Sequence, residues 1–557
     1  MTSDTTAAAT AWLDRFFATL YHHRPVEATF VGIHDHDHRL PDLSEAGVST
    51  FDTAMTTLVE DERLLDPAPV GSPEAHDRAL AVGHLRSELL LSGTAHSSAG
   101  NPTVYSGQSL FGVLSLLRRP FAPASDRLAN AIERMDRVPA LLRVGESRLR
   151  VMPTGWIDRA LADARGALAL FDEGIAAFCR THDLDAGPTD SVASAAADAT
   201  ARFGRFLEDA RTRSTQRAAA CGGPALDALF AWAHGIEGGS EEVERTAWAR
   251  LEESRSGLQD ATRRLGLGDA NELAAALREN HPDRDSFLNR HTELFETHRA
   301  VAQEHALVTW PPYPLAFVET PRWLQGTMEH ALVYPYHAPA PHDGDVPVEF
   351  LVPSLPADAS DDETAQFLAD RHDGVIKLNH VVHHGGIGHH VQNWYAYHAA
   401  RSRIGRMAAV DSAGHTVLLC GMTMAEGWAS YVPELMAEAG FLTEPEQASL
   451  YGDALRAATR AIVDVRLHTG RWTPDEAAVF LIEETGCGEA AAHAAVARLS
   501  LFPTSGSTYT MGSVGIRRLR EELEEHDGQA FRLQSFHDAL LGFGSIPVPL
   551  AAAALRP

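Results

Sequence analysis

Apolar residues recur at intervals of three and four along most of the chain, and this spacing restricts the fold more than any other feature. The segment 241–259 shows it clearly, with Val243, Ala247, Leu251 and Leu258 on one stripe and charged residues between them. Such stretches, rich in Ala, Leu, Glu and Arg, favour amphipathic helices that pack on a shared core. The sequence therefore predicts a mainly α fold with a large helical body.

A short region between the two helical halves has a different pattern. Residues 331–352 combine β-branched and aromatic side chains with several Pro and Gly residues, which is typical of short strands and turns. We expect two strands, at about Ala331–Tyr336 and Val348–Val352. Pro347 and Pro353 beside the second strand favour an edge position. This small β-element is expected to flank a deep cleft.

Helical patterns return after residue 360. They predict helices at about 361–371, 377–408, 422–439, 445–468, 473–485, 489–499, 512–526 and 533–541. The Pro-rich segment near 309–317 suggests a boundary. We therefore divide the chain into an N-terminal helical region, 1–310, and a C-terminal region, 311–557, as two halves of one cleft.

Charge and hydropathy exclude several classes of protein. The chain has 557 residues, with 47 basic against 75 acidic side chains and a formal net charge of −28, so we expect neither nucleic-acid nor membrane partners. No apolar run reaches the roughly 18 residues of a membrane helix, and the N-terminus lacks a signal-peptide pattern. The sequence therefore predicts a cytoplasmic location. Its four cysteines are too far apart for a disulfide framework or a cysteine zinc site.

Histidines are concentrated in one segment. Residues 381–398, VVHHGGIGHHVQNWYAYH, contain His383, His384, His389, His390 and His398. Neutral imidazoles are the commonest metal ligands, but on a straight helix His383 and His389 are about 120° from facing each other, and His383 and His390 are about 10 Å apart. The three glycines between the histidine pairs permit a π-bulge or local unwinding that would close either spacing. Glycines lower the stability of a helix, and metal binding would offset this loss. The alternative is a glycine-rich loop with surface histidines.

A third ligand for such a site is present downstream. Glu426 opens the motif EGWASY, and a carboxylate is a normal partner for two histidines in a catalytic metal site that keeps one position open. A Glu near the start of a helix is more often a favourable contact with the helix dipole. Glu426 alone therefore does not decide between the two alternatives.

Together these motifs resemble a known family. VVHHGGIGHHVQ followed by EGWASY is similar to HExxPGHHxQ followed by EGWAxY, the pattern of the bacterial domain-of-unknown-function family 885 (DUF885). That group resembles the helical zinc metallopeptidases. The opening segment RPVEATFVGIHDHDHRLPDLS and the closing segments DVRLHTGRWTPDEAAVF, FPTSGSTYTMG and FRLQSFHDALLGFGSIPVPL also resemble family motifs in the same order. The resemblance therefore covers nearly the whole chain.

The resemblance implies a set of metal ligands. His383 and His389 are the implied imidazole ligands of one divalent ion, Glu426 is the carboxylate ligand, and His390 is an alternative ligand. Zinc is the first choice of metal, and iron, manganese, copper and cobalt are alternatives. An edge strand of the β-element would lie along the bound substrate.

The chain departs from the family pattern at the position of the general base. The Glu that deprotonates the metal-bound water in such peptidases is replaced by His384. We therefore expect ordinary peptidase activity to be weak or absent, with His384 as a ligand or as an acid–base group. Two further departures are Ile387 in place of Pro and Pro433 in place of an acidic residue, and Pro433 should kink its helix.

The C-terminal motifs supply further candidate residues. Asp464 and His468 are four residues apart on one predicted helix face, so the carboxylate could orient an imidazole that points into the cleft. Tyr509 could donate a hydrogen bond to a developing oxyanion, the role that similar peptidases give to a late tyrosine. Arg498 and Arg518 are candidates for binding a substrate carboxylate.

Three functions remain open. The first is a metal-dependent hydrolase of a small peptide, amide or amino-acid-derived substrate, with His384, His468 and Tyr509 as catalytic residues and an altered general base. The second is a metal-dependent biosynthetic enzyme that does not hydrolyse its substrate, such as a lyase, an isomerase or an oxygen-using enzyme. The third is an inactive peptidase-like scaffold that binds a ligand. The expected partner is a small molecule or a short peptide.

Overall fold

The computed structural model describes residues 2–214, 220–337, 339–344, 346–355, 358–407, 411–412, 415–416, 418 and 420–556. Helices account for 71% of the structure and strands for 2%, so the predicted mainly α fold is confirmed. Among the described residues, no helix combines the length and the apolar character needed to cross a membrane.

Helices fill the first 304 residues. They span Thr2–His23, Pro25–Val31, Glu45–Glu62, Pro73–Ser92, Thr103–Arg118, Ala124–Arg148, Thr154–Ala169, Ile175–Thr181, Gly187–Arg211, Gly223–His234, Gly239–Arg264, Ala270–Arg278 and Phe287–Glu304, with a π-helical turn at Leu170–Gly174. The predicted stripe is on the core side, since Val243, Ala247 and Leu251 are completely buried.

The C-terminal half is also helical. Its helices span Arg322–His330, Asp361–Ala369, Asp373–Val375, His389–His398, Arg403–Met407, Met422–Glu438, Glu444–His468, Pro474–Thr485, Glu489–Leu501, Thr508–Asp527, Leu533–Leu541 and Val548–Leu555, with a π-helix at Ile376–Gly385 and a 3-10 turn at Gly528–Ala530. The single helix predicted at 377–408 is therefore divided into three, and its last residue, 408, lies outside the described residues. The helix that contains Pro433 continues to Glu438.

Local sequence signals set several of these helix starts. Ser360 accepts a hydrogen bond from the N–H of Glu363, whose carboxylate returns to the backbone of Ser360. Thr473 and Glu476 form the same reciprocal pair. Such capping boxes satisfy N–H groups that have no partner within the helix. They explain why the starts predicted at 361 and 473 agree with the structure within one residue.

The β-element differs from the prediction in its first strand. Strand β1, Leu315–Glu319, pairs in parallel with strand β2, Val348–Val352. The predicted strand Ala331–Tyr336 does not form, and within the described residues of that segment only Tyr336 makes a bridge, to Phe350 of β2. The prediction was wrong because helix Arg322–His330 lies between the two strands in the sequence and allows β1 and β2 to pair in parallel. The prolines directly before β1 also obscured its strand pattern in the sequence.

The second edge of β2 is partly covered. The N–H of Leu351 donates to the carbonyl of Pro335 at 3.1 Å, next to the bridge between Tyr336 and Phe350. A substrate cannot pair with β2 at these positions while this contact is present. The expectation that an edge strand of the β-element lies along a bound substrate stays a prediction. A second sheet pairs Asp411–Ser412 with His415–Thr416 in antiparallel orientation.

One hydrophobic core includes both predicted regions. Its buried residues run from Trp12 to Ala552. Direct contacts also join the two regions, since the indole N–H of Trp156 donates to the hydroxyl of Ser500 at 2.8 Å. The two regions therefore share one core, and the boundary at residue 310 stays a prediction.

Candidate metal centre

The histidine-rich segment leaves α-helical geometry where its glycines predicted a distortion. The π-helix Ile376–Gly385 ends directly after His384, and the next helix begins at His389. The ring centroids of His383 and His389 are 4.8 Å apart. His384 joins them, so that ligand nitrogens of all three histidines lie within 4.8 Å of one another. The structure thus brings His383 and His389 together despite their separation in the sequence.

Tertiary packing explains why glycines occupy this turn. A Cβ on Gly386 would overlap Nε2 of His298, and a Cβ on Gly388 would overlap a backbone carbonyl oxygen. Between them, the N–H of Ile387 donates to Nε2 of His298 at 3.1 Å, and its carbonyl accepts from the indole of Trp428 at 2.7 Å. These bonds hold the turn in one conformation, so the glycines provide room for close packing rather than flexibility.

Helix Met422–Glu438 brings a carboxylate to the histidines. Oε2 of Glu426 lies 3.7 Å from Nε2 of His383 and 3.6 Å from Nε2 of His389, beyond ordinary hydrogen-bond distance. This oxygen is buried and has no hydrogen-bond partner in the part of the chain that the structure describes. Burial alone would raise the pKa of Glu426, but the adjacent imidazoles of His389, His383 and His384 together outweigh it and lower the pKa to about 2. The carboxylate is therefore ionised at neutral pH.

Backbone carbonyls orient two of the imidazoles. Nδ1 of His383 donates to the carbonyl of Ala429 at 3.0 Å, and Nδ1 of His384 donates to the carbonyl of Asn379 at 2.7 Å. Each Nε2 then carries the lone pair, which is the form that binds a metal ion. Burial lowers the pKa of His383 well below its ordinary value and lowers the pKa of His384 to about 4. Both rings are therefore neutral near pH 7.

His390 is not part of this group. Its Nε2 donates to the carbonyl of Tyr313 at 2.9 Å, and its Nδ1 accepts from the hydroxyl of Tyr336 at 3.4 Å. The ring is completely buried and stacks on Tyr313, with centroids 4.6 Å apart. Because both nitrogens have partners, the structure does not place His390 as the alternative ligand.

Tyr509 lies close to the histidine group. The helix of Glu426 crosses helix Thr508–Asp527 at Gly427 and Gly512, where a Cβ on either glycine would overlap the other helix. This close crossing brings Tyr509 near Glu426, whose negative charge adds to burial in raising the pKa of the phenol. Tyr509 therefore stays protonated and can act as a hydrogen-bond donor.

Asp464 holds the loop that precedes Tyr509. Its carboxylate accepts hydrogen bonds from the N–H of Thr504 at 3.1 Å, the N–H of Ser507 at 3.1 Å and the hydroxyl of Ser507 at 2.7 Å. Thr504 has a φ of 77°, a conformation that strains a β-branched residue. Asp464 therefore stabilises a strained loop, whereas the sequence predicted that it would orient His468.

Two predicted site residues lie away from the cavity. His468 is completely buried, its Nε2 donates to the carbonyl of Leu499 at 3.0 Å, and it does not line the cavity. Arg518 is on an exposed helix face and does not line the cavity either. The structure thus does not bring His468 to the site as a catalytic residue or Arg518 as a substrate-binding residue.

The three imidazoles and Glu426 line one large cavity. Its volume is about 2090 Å³, compared with roughly 300–1,000 Å³ for typical small-molecule sites. Tyr509, Arg498 and Phe350 of β2 also line it, and residues of both predicted regions contribute to its wall. The space is sufficient for an extended substrate.

Sequence reasoning missed the residues that fix the turn. His298 is 89 residues from Ile387 along the chain, and no local pattern connects them. Trp428 lies within the motif EGWASY, which offered a signal, but its bond to Ile387 depends on helix packing. Arg460, a further cavity residue, lies on helix Glu444–His468 just before the motif DVRLH and outside it.

A comparison with protein families decides the relationship suggested by the motifs. Residues 25–555 match the family described as "Bacterial protein of unknown function (DUF885)". The chain belongs to DUF885. A search of curated proteins finds no match.

Two solved structures are similar to this DUF885 protein. One is "a putative lipoprotein of unknown function" from Shewanella oneidensis, with 20% sequence identity, a TM-score of 0.76, and coverage of 98% of this chain and 99% of the other. The second is a "putative lipoprotein" from Colwellia psychrerythraea, with 16% identity, a TM-score of 0.78, and coverage of 100% and 99%. At these identities the similarity establishes the fold.

The same comparison corrects the predicted location. Both neighbours are described as lipoproteins, which contradicts the cytoplasmic location predicted for this chain. That prediction relied on the lack of an apolar segment long enough to span a membrane. A covalently attached lipid anchors a protein without such a segment, so the argument was insufficient and the prediction is withdrawn.

Proposed function

We propose that this DUF885 protein is a metal-dependent, hydrolase-like enzyme that acts on a small peptide, an amide or an amino-acid-derived substrate. His383, His389 and Glu426 would hold one divalent ion, with zinc as the first choice. The proposal follows the resemblance to helical zinc metallopeptidases, and it includes the altered position at His384.

One observation carries the metal proposal. The buried Oε2 of Glu426 has no hydrogen-bond partner among the described residues, yet it faces ring nitrogens at 3.6 and 3.7 Å. Zinc–nitrogen bonds of about 2.0–2.1 Å in a tetrahedral arrangement place ligand atoms about 3.4 Å apart. An unpaired buried carboxylate oxygen is costly, and a cation bound at this point would remove that cost. The donor set therefore fits a divalent ion.

The chemistry of the surrounding residues supports hydrolysis. A divalent ion held here would polarise a carbonyl group and acidify water. Tyr509 lines the same cavity and keeps its proton, so its hydroxyl can donate to a developing oxyanion. The cavity of about 2090 Å³ leaves room for a peptide on either side of the bond that is cleaved.

His384 supports a second candidate function. It adds a third imidazole to the group, with its ligand nitrogen within 4.8 Å of those of His383 and His389. A site with three nitrogen donors and one carboxylate suits iron, copper, manganese or cobalt at least as well as zinc. This arrangement favours a non-hydrolytic biosynthetic enzyme as the alternative.

Metal analysis of protein purified without an affinity tag tests the proposal. The expected result is about one ion per chain after reconstitution, and the ion should be lost in Glu426→Gln. Glu434→Gln is the matched control, because Glu434 lies on the same helix and lines the same cavity but is paired with Arg250 and Arg517. An absence of bound metal after reconstitution, or full metal content in Glu426→Gln, would refute the proposal.

A further inference from the structure

One residue type is almost missing from this chain. Lys377 is its only lysine, and arginine supplies all the others among its 47 basic side chains. Lysine differs from arginine in its compact ammonium group, which suits a small buried site better than a planar guanidinium does. The single lysine is therefore a candidate for a role that depends on this shape.

Lys377 forms a buried ion pair. Its Nζ donates to Oε2 of Glu446 at 2.9 Å, and both side chains are buried. The same oxygen accepts the backbone N–H of Thr443 at 2.8 Å, so the pair joins the capping box at the start of helix Glu444–His468. Nζ also lies 5.4 Å from the ring centre of Phe441. Loss of either partner would leave an uncompensated buried charge, so this contact holds Lys377 firmly to the helix.

The ion pair is attached to an unusual helix. Lys377 is the second residue of the π-helix Ile376–Gly385, which is ten residues long. Most π-helical segments in proteins are limited to a single turn, so one of this length needs tertiary contacts to hold it. The ion pair of Lys377 supplies such a contact in its first turn. The bond from Ile387 to His298 supplies another just after its end.

The π-helix determines where the imidazoles point. The ring of His384 donates to the carbonyl of Asn379, five residues earlier in the same helix. A π-helical turn takes up about one residue more than an α-helical turn, so relaxation to an α-helix between Lys377 and His383 would rotate the later side chains by roughly 100°. Such a rotation would separate His383 and His384 from Glu426.

We propose that Lys377 is a positioning residue of the metal centre, which acts through Glu446 to hold the π-helix in the geometry that brings the three histidines together. The inference rests on the proposed function, in which these histidines surround a divalent ion. Lys377 does not line the cavity, so it acts through the backbone of the π-helix and not on the substrate.

Zinc competition and cobalt spectroscopy on the full-length protein test this role. The test variant combines Lys377→Met with Glu446→Gln, which removes the ion pair without leaving a buried charge and keeps a side-chain oxygen for the N–H of Thr443. Its zinc affinity should fall about tenfold, at the lower end of the range for residues that orient ligands from outside. The visible absorption of its Co²⁺ form should change with the ligand geometry. Lys377→Arg keeps the charge in a bulkier group and should lose roughly threefold in affinity.

A matched ion pair elsewhere separates positioning from stability. Arg78 is buried and pairs with Glu62 at 2.8 Å, and neither residue lines the cavity. Arg78→Met with Glu62→Gln should lower the midpoint of urea unfolding to a comparable extent but leave the zinc affinity and the Co²⁺ spectrum unchanged. Equal losses of zinc affinity in the two double variants, or full affinity in Lys377→Met with Glu446→Gln, would overturn the positioning role.

Hydrogen exchange of the metal-free protein separates this inference from the metal proposal. Amides of residues 380–388 should exchange about tenfold faster in the Lys377 double variant than in the wild type or the Arg78 double variant. If the wild type binds neither zinc nor cobalt, the metal proposal fails, and this measurement alone decides the positioning role. Unchanged exchange would overturn it. If the Lys377 double variant does not fold, Lys377→Arg decides: faster exchange at an unchanged unfolding midpoint supports the role, and wild-type exchange overturns it.

Discussion

Two groups of three histidines and one carboxylate lie close to the cavity, and they differ in where their polar atoms point. The cavity cluster consists of His383, His384, His389 and Glu426. The loop cluster consists of His96, His234, His468 and Asp464, which surround the chain between Leu499 and Ser507. Their residue types are almost the same, so their chemistry must be decided by geometry.

The loop cluster uses its polar atoms to hold the backbone. Nε2 of His96 donates to the carbonyl of Ser500 at 3.0 Å, and Nε2 of His234 lies 2.9 Å from the hydroxyl of Thr504. His468 donates to a neighbouring carbonyl in the same way, and Asp464 accepts from backbone N–H groups. In the cavity cluster, by contrast, ring nitrogens converge and one carboxylate oxygen has no partner among the described residues.

This comparison shows that a histidine-rich composition does not by itself indicate a metal site. A ligand needs an unused lone pair, and the hydrogen bonds of a ring determine whether it has one. The cavity cluster keeps its Nε2 atoms available and close together. In the loop cluster the Nε2 atoms are engaged, and although Nδ1 of His234 and of His468 has no partner among the described residues, the ligand atoms of this cluster form no convergent group there. The following predictions test this difference, from the largest expected effect to the smallest.

Replacing His384 should have the largest effect. In the proposed hydrolase, His384→Glu restores an anionic proton acceptor, and a positioned general base contributes about 10²–10⁴ in rate. We therefore expect peptidase activity to rise by about that factor with metal content unchanged, as measured with a fluorogenic peptide. His398→Glu is the control, because His398 is an exposed histidine of the same segment. If the native reaction is of another class, His384→Glu should abolish that reaction instead; no gain of peptidase activity would contradict the hydrolase proposal.

Matched substitutions in the two clusters should separate their metal affinities. His389→Gln removes a proposed ligand and should weaken zinc binding by more than about 100-fold, since loss of an outer partner alone costs about 10–100-fold. His234→Gln should leave the affinity unchanged, because its Nε2 is engaged with Thr504. Competition with a chromophoric chelator measures both. Equal losses in the two variants would remove the distinction between the clusters.

Asp464→Asn should affect stability and not metal binding. The amide nitrogen that replaces a carboxylate oxygen cannot accept a hydrogen bond from Ser507. A buried donor of Ser507 then loses its partner, which should lower the free energy of unfolding by about 1–3 kcal/mol. Urea unfolding and zinc titration on the same samples test this. A loss of zinc affinity comparable with that of His389→Gln would show that Asp464 serves the metal site.

The same residue should affect the pH dependence of folding. Burial raises the pKa of Asp464 to about 7, above the value of about 3.9 in an unfolded chain. The folded state then binds this proton more tightly, so the contribution to stability is full below pH about 4 and is lost as the pH rises through 7. Asp464→Asn should therefore flatten the fall in the free energy of unfolding between about pH 4 and about pH 7. An identical pH profile for the two proteins would contradict this assignment.

Thr504→Gly should have the smallest effect. Glycine relieves the strain at a φ of 77° but loses the contact between the hydroxyl and His234. Relief of the strain stabilises the fold and loss of the contact destabilises it, by about 1 kcal/mol or more each. The expected net change in unfolding free energy is therefore within about 1 kcal/mol. Thr504→Ala, which loses the contact without relieving the strain, is the control and should be the less stable variant in thermal unfolding.

Several elements could be predicted because their signals are local. The helix at Leu533–Leu541 has the predicted bounds, and the helix at Glu444–His468 begins one residue before the predicted start. The spacing of apolar residues and the capping residues lie within the same few turns, so the sequence alone contains the relevant interactions. The distortion at the histidine segment was predicted for the same reason, since its glycines are adjacent in the sequence.

Predictions that required distant partners were less successful. The parallel partner of Val348–Val352 was assigned to the wrong segment, because the pairing of two short strands depends on the crossover between them. His468 was expected in the cleft on the basis of its spacing from Asp464. Its hydrogen bond to Leu499 joins residues that are 31 positions apart, and a helical spacing rule contains no information about that contact.

The sequence by itself determined a mainly helical DUF885 chain, the break in the histidine helix, and the short set of residues from which a metal site could be built. Only the tertiary structure decided that His384 joins His383 and His389, and that His390 is engaged elsewhere. The physical reason is that secondary structure depends on side chains a few residues apart. Whether an imidazole keeps a free lone pair depends instead on partners 46 residues away for His383 and 404 residues away for His96, which only packing brings together.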